Sequence, residues 1–91
     1  MYNYLMLVGR LKEVDEENKQ IKVSVQKPFR NAEGIIEQEN FTLNVCDFIF
    51  DIVKDKINLN DVILIKGRVQ LNQDNSISLI AEKLMLPELK A

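Results

Sequence analysis

The sequence predicts an all-β protein with one helix: five short strands, with the helix between the third and the fourth. Three observations carry that reading. In several runs apolar and polar residues alternate with period two, as in "IKVSVQ", where Ile21, Val23 and Val25 alternate with Lys22, Ser24 and Gln26. One run, "FIFDIVKDKI" (48–57), instead spaces apolar residues four apart, Phe48 with Ile52 and Ile49 with Val53, as a helix does. Polar segments such as "DEENKQ", "NLND" and "NQDN" separate the runs.

The elements follow in order. "YLMLVGRLKEV" (4–14) is the first strand. Tyr4, Met6, Val8 and Arg10 share one face and Leu5, Leu7, Gly9 and Leu11 the other, so both faces are apolar for part of its length. Gly9 is placed to supply a bulge or a sharp bend. After the polar turn 15–20 the second strand runs over 20–27 and forms a hairpin with the first. Residues 28–38, with Pro28, Asn31 and Gly34, read as a loop, and "ENFTLNVC" (39–46) as the third strand, with Phe41, Leu43 and Val45 turned to the core. Asp47 is the expected N-cap of the helix 48–57, whose Phe48 and Phe50 are expected in the core; Lys54 and Lys56 lie late, as the helix dipole favours. The fourth strand covers 62–71. The fifth covers 76–86 and is stopped by Pro87. This is the element order of a five-stranded OB-fold barrel, in which closure removes exposed sheet edges.

Composition bounds the function. Ninety-one residues suit a single domain, 1–91. A formal charge of −2 excludes a protein that binds polyanions through its whole surface, so any nucleic-acid site must be a local cluster of Lys and Arg. Histidine is absent and Cys46 is the one cysteine, which removes Ser-His and Cys-His pairs, zinc clusters of Cys and His, and an intrachain disulfide. No phosphate-binding glycine motif is present, and the fourteen Asp and Glu are scattered among polar neighbours. Catalysis and a cofactor are therefore not expected. Cys46 reads as a small buried or half-buried residue. No run approaches a membrane span, and "MYNYLMLVGRL" lacks the basic lead of a secretory signal, so a cytoplasmic protein is expected.

Four segments resemble the bacterial single-stranded DNA-binding proteins. Asn3, Leu7, Val8, Gly9, Arg10 and Leu11 match an opening strand of the form N-x-x-x-L-V-G-R-L. Gln26, Lys27 and Phe29 fall where the family's second strand ends in Asn-Arg-x-Phe. "IKGRVQ" is similar to its fourth strand and "AEKLMLPE" to its closing strand. Departures accompany the matches. Tyr4 stands where Arg is usual, Trp is absent, and the "NQDN" turn replaces a long aromatic-bearing arm. The sequence ends at "LPELKA" without the family's acidic-tipped tail, so the resemblance implies a truncated or reduced relative. It also implies single-stranded DNA as partner, self-association as a homodimer or homotetramer through the first strands, and other replication proteins as further partners.

The residues themselves leave alternatives. Phe29 either folds back over one end of the barrel or stands out between Lys27 and Arg30, where a base stacks on the ring while the cations hold phosphate. Tyr4 is either a strand-end ring or a second stacking platform. Arg10, Lys66 and Arg68 are solvated strand-face charges, or a phosphate track if their faces converge, which Lys22 and Gln26 would extend. The rival to DNA binding is a protein-interaction OB module, such as a primosome component or a tail-less paralogue. The near-neutral, slightly acidic balance and the three rings left for stacking, Tyr2, Tyr4 and Phe29, favour that rival; the Lys27-Phe29-Arg30 cluster favours DNA.

Overall fold

The structure, a computed structural model, describes residues 3–86. Tyr2 as a stacking ring and Pro87 as a strand stop lie outside them. Five strands are present, β1 (Leu5–Asp15), β2 (Gln20–Arg30), β3 (Ile36–Val45), β4 (Val62–Leu71) and β5 (Ile77–Met85), with the helix α1 (Asp47–Lys56) between β3 and β4. They close into a barrel in the order β1-β2-β3-β5-β4, antiparallel throughout except for β3 against β5.

The first strand serves two neighbours. Leu5–Arg10 pairs with β4 and Arg10–Asp15 with β2. The bulge falls between Leu11 and Glu13, not at the predicted Gly9, which keeps regular register opposite Ile63. Gly9 is required for closeness instead: a Cβ there would lie 2.3 Å from the Ser24 carbonyl oxygen. The strand divides inward from outward as its alternation predicts. Leu5 and Leu7 pack on the core and Leu11 is buried, while Met6 and Val8 are each 49% exposed.

Leu11, Ile21, Val23, Leu43, Ile63 and Ile65 fill the barrel, with Phe41 half-buried against them. Each such buried side chain contributes about 1.5–3 kcal/mol. The helix closes one end through Ile49, Phe50, Val53 and Ile57. Phe48, expected in the core, is 74% exposed, whereas Phe50 is 1% exposed. At about 100° per residue the four buried positions span about 100° of the helix surface, and Phe48 falls about 100° outside that stripe. The helix meets the barrel along one narrow stripe only. Two further expectations change here. Cys46, not Asp47, occupies the N-cap position and makes no side-chain capping bond; Asp47 is the first helical residue, where its charge favours the dipole. Cys46 is exposed, being the extended residue between β3 and α1.

The largest departure from the sequence reading is the segment 28–38. Most of it is strand: β2 runs on to Arg30 and β3 begins at Ile36. Pro28 sits inside the register shift between Gln26 and Arg30, where it removes no ladder hydrogen bond. The result is a two-stranded arm, with a turn only at 31–35.

Candidate nucleic-acid interface

The arm presents Phe29. β2 and β3 pair from Gln20–Asn44 up to Gln26–Gln38 and again at Arg30–Ile36, which carries the ring beyond the barrel wall. Its side chain is 79% exposed, so it does not fold back over the barrel. Asn31 builds the turn: its Oδ1 accepts from the backbone N–H of Glu33 (2.9 Å) and Ile35 (3.0 Å), and Gly34 takes φ +80. Ile35 and Ile36 add exposed apolar surface beside the turn.

The arm's cations are committed. Lys27 Nζ donates to Glu37 Oε2 at 3.0 Å, and Arg30 donates to the Gly34 carbonyl at 2.8 Å. The hydrogen bond from Asn31, and then the Lys27 ammonium, hold the Glu37 carboxyl below its ordinary value; the Glu37 hydrogen bond and charge hold Lys27 above its own. Over residues 27–39 two cations stand against three carboxylates.

Tyr4, Arg10, Lys66 and Arg68 lie elsewhere, on the outer face of β1 and β4. Met6 is opposite Lys66, Val8 opposite Leu64 and Arg10 opposite Val62. Asn3 carries that register one step further through both its side-chain atoms, which bond the backbone N–H and carbonyl of Val69. Tyr4, 70% exposed, therefore stands beside Arg68. Arg68 meets Glu82 of β5 at 3.7 Å. Arg10 donates to the Asn60 carbonyl at 2.8 Å, fastening β1 to the loop after α1. Lys22, on the outer face of β2, pairs with Glu13 at 3.4 Å.

The predicted residues thus fall into two groups, the arm (Lys27, Phe29, Arg30) and the β1–β4 face (Tyr4, Lys66, Arg68). A shallow depression where β1 parts from β2 is lined by Val8, Gly9, Arg10, Ser24, Gln26 and Gln38, so Arg10 and Gln26 come together there. Lys22 stands apart. Lys83 was missed by sequence reasoning. It is directly opposite Lys66, a placement set by a register shift that no local pattern announces.

No protein-family model and no curated protein sequence matches this chain. Solved structures do. A mitochondrial single-stranded DNA-binding protein of Saccharomyces cerevisiae, Rim1, superposes with a TM-score of 0.70 at 14% identity, covering 94% of each chain. A small single-stranded DNA-binding protein of Streptomyces coelicolor gives 0.66 at 14% identity, over 96% of this chain and 95% of that one. The barrel is an OB-fold. A small single-stranded DNA-binding protein of Mycoplasma pneumoniae gives 0.63 at 13% identity, covering all of this chain and 93% of its own. In OB-folds the face of the second and third strands binds oligonucleotides or oligosaccharides, and here those two strands build the arm that carries Phe29.

Proposed function

We propose that this protein binds single-stranded DNA without sequence preference, by stacking bases on exposed rings and neutralising phosphates, in replication, recombination, repair or conjugation. The observation that carries the reading is Phe29, exposed beyond the barrel wall with Lys27 and Arg30 on either side, in a fold shared with three single-stranded DNA-binding proteins. Every base offers a π-face, so stacking is indifferent to sequence. Phe29 and Tyr4 supply the rings. Lys27, Arg30, Lys66 and Arg68 supply phosphate contacts, with Arg10 and Gln26 along the path between them, while Lys22, paired with Glu13, stays apart from it. The reading is binding without catalysis, in the cytoplasm. Among the described residues no helix is long and apolar enough to cross a membrane.

Self-association belongs to the same proposal. Val8 of β1, Leu64 of β4 and Met85 of β5 form one cross-strand row of the outer face, an apolar strip that a second copy would cover, with the Met6–Lys66–Lys83 row at its open rim. Sedimentation equilibrium at high micromolar concentration is expected to give a dimer or tetramer, and a monomer overturns this part.

Titration of labelled oligo-dT at two salt concentrations tests the binding. Four phosphate contacts give a log–log salt slope of about −3 per protomer, because each releases about 0.7 counterion from a single strand. Duplex DNA is expected to bind far less well, since paired bases cannot stack on Phe29. Absence of binding at low salt, a flat salt dependence, or equal affinity for duplex overturns the proposal in favour of a protein-interaction module.

A further inference from the structure

We propose that Lys66 and Lys83 form a phosphate-binding pair, a second contact for the DNA backbone on the outer face of β4 and β5; the inference rests on the single-stranded DNA reading above. The two lysines are direct partners across the strand pair. The register shift between Lys66 and Gly67 leaves Glu82 as the extra residue of β5, and a bulge turns two successive side chains to one face. Glu82 thereby reaches Arg68 at 3.7 Å, and Lys83 arrives opposite Lys66.

Like charges directly opposite destabilise a sheet. Here nothing offsets them: among the described residues neither lysine makes an ion pair, while Lys19, Lys22, Lys27, Lys54 and Arg68 all do. Arg10 and Arg30, in turn, are held by backbone carbonyls. The strongest uncompensated positive charge near the candidate site is therefore this pair. The Lys66 stem is half-buried, with Met6 as its neighbour on β1, which lets the ammonium stand at the rim of apolar surface. Cross-strand Cβ atoms are about 5 Å apart, and two flexible stems from that spacing can take two successive phosphates of one strand. Tyr4 stands one row away beside Arg68 and offers a ring to a base attached to those phosphates.

The experiment compares wild type, Lys83→Ala and Lys83→Arg for binding of oligo-dT of about 16 nucleotides, the upper site size of an OB-fold, across a salt series. Lys83→Ala is expected to lower the magnitude of the salt slope by about 0.7, which weakens binding about eight-fold at about 50 mM salt and about three-fold at about 200 mM. Lys83→Arg is expected to restore the slope. The free Lys83→Ala protein is expected to melt no lower than wild type, because removing one of two opposed like charges relieves the sheet. Should wild type bind while Lys83→Ala keeps its slope and affinity, this pair is not a phosphate site and the single-stranded DNA reading stands. Should wild type fail to bind oligo-dT at low salt, both fall together. A lower melting temperature with an unchanged slope assigns Lys83 to stability and overturns the inference.

Discussion

The β2–β3 arm holds the most exposed ring in the described chain among more carboxylates than cations, whereas the outer face of β4 and β5 holds three cations against one carboxylate. On the arm, stacking is available and charge is spent internally: Lys27 on Glu37, Arg30 on the Gly34 carbonyl. On the face, Arg68 has Glu82, while Lys66 and Lys83 have only each other among the described residues. A ring without free cations favours bases over backbone, and cations with a single neighbouring ring favour backbone over bases. One strand crossing both regions by way of the Arg10–Gln26 depression would obtain both kinds of contact. On the proposed reading, the difference makes the two terms of single-strand binding, stacking and phosphate neutralisation, separable by mutation.

The most damaging substitution breaks the face while sparing the arm. Gly67 lies at the register shift between β4 and β5, and a Cβ there would fall 1.8 Å from the Ile80 carbonyl oxygen. A backbone atom cannot swing aside as a side-chain end does. Gly67→Ala is expected to destabilise the barrel by about 3 kcal/mol, the upper end for overpacking. Urea unfolding measures it. A loss below half a unit of that scale would mean that β5 moves freely past β4, and the fixed Lys66–Lys83 opposition would lose its basis.

Phe29→Ala removes the ring from the arm. It is expected to weaken oligo-dT binding by about 1–3 kcal/mol, the worth of one stacked base. The melting temperature should stay nearly unchanged, since the ring is 79% exposed. Salt slopes should coincide between variant and wild type, which sets Phe29 apart from Lys83. A large drop in thermal stability with unchanged affinity would return Phe29 to the core.

Charge on the arm is tested by releasing it. Glu37→Gln removes the carboxylate that occupies Lys27. Lys27 must leave Glu37 to meet its phosphate, so the variant is expected to keep the wild-type slope and to strengthen binding up to about five-fold, the upper worth of an exposed ion pair. Unchanged affinity would place Lys27 off the path of the strand.

Much of this was legible in the sequence. Period-two alternation separates the two faces of β1 and β2 as found and turns Phe41, Leu43 and Val45 of β3 to the core correctly, and the order of elements points to the closed barrel. What escaped is what depends on partners distant in the chain. Pro28 and Gly34 announce a loop, yet pairing with β3 carries β2 through Pro28 to Arg30. Phe48 and Ile52 have helical spacing, yet the barrel end accepts only the stripe through Ile49, Phe50, Val53 and Ile57. Asp47 looks like a cap, yet it is the first helical residue, and the cap position falls one residue earlier, on Cys46. The site follows the same rule. Phe29 was legible as a candidate from its own neighbours, because flanking cations and a broken alternation are local signals. Lys83 was not, because its meaning comes from Lys66, which only the register brings opposite.

The smallest effect expected is one of pH, and it isolates Glu37 among the arm's three carboxylates. Glu37 is held below the ordinary 4.5 of its type, first by the Asn31 hydrogen bond and then by Lys27. A depressed carboxyl contributes its folded-state pairing above the unfolded value and loses it as the pH falls through the lower, folded value. Lys27, whose own value is raised, stays protonated throughout that range. The Lys27–Glu37 pair is therefore intact from neutrality down past 4.5 and opens only in stronger acid. Oligo-dT suits the measurement, because thymine takes up no proton there. The affinity advantage of Glu37→Gln over wild type is expected to hold steady between about pH 7 and about pH 5 and to close only below the ordinary carboxyl range, as protonation frees Lys27 in the wild type too. A ratio that closes already between about pH 7 and about pH 5 would show that some group other than Glu37 restrains Lys27. The arm's deficit of free charge would then have a different origin from the ion pair.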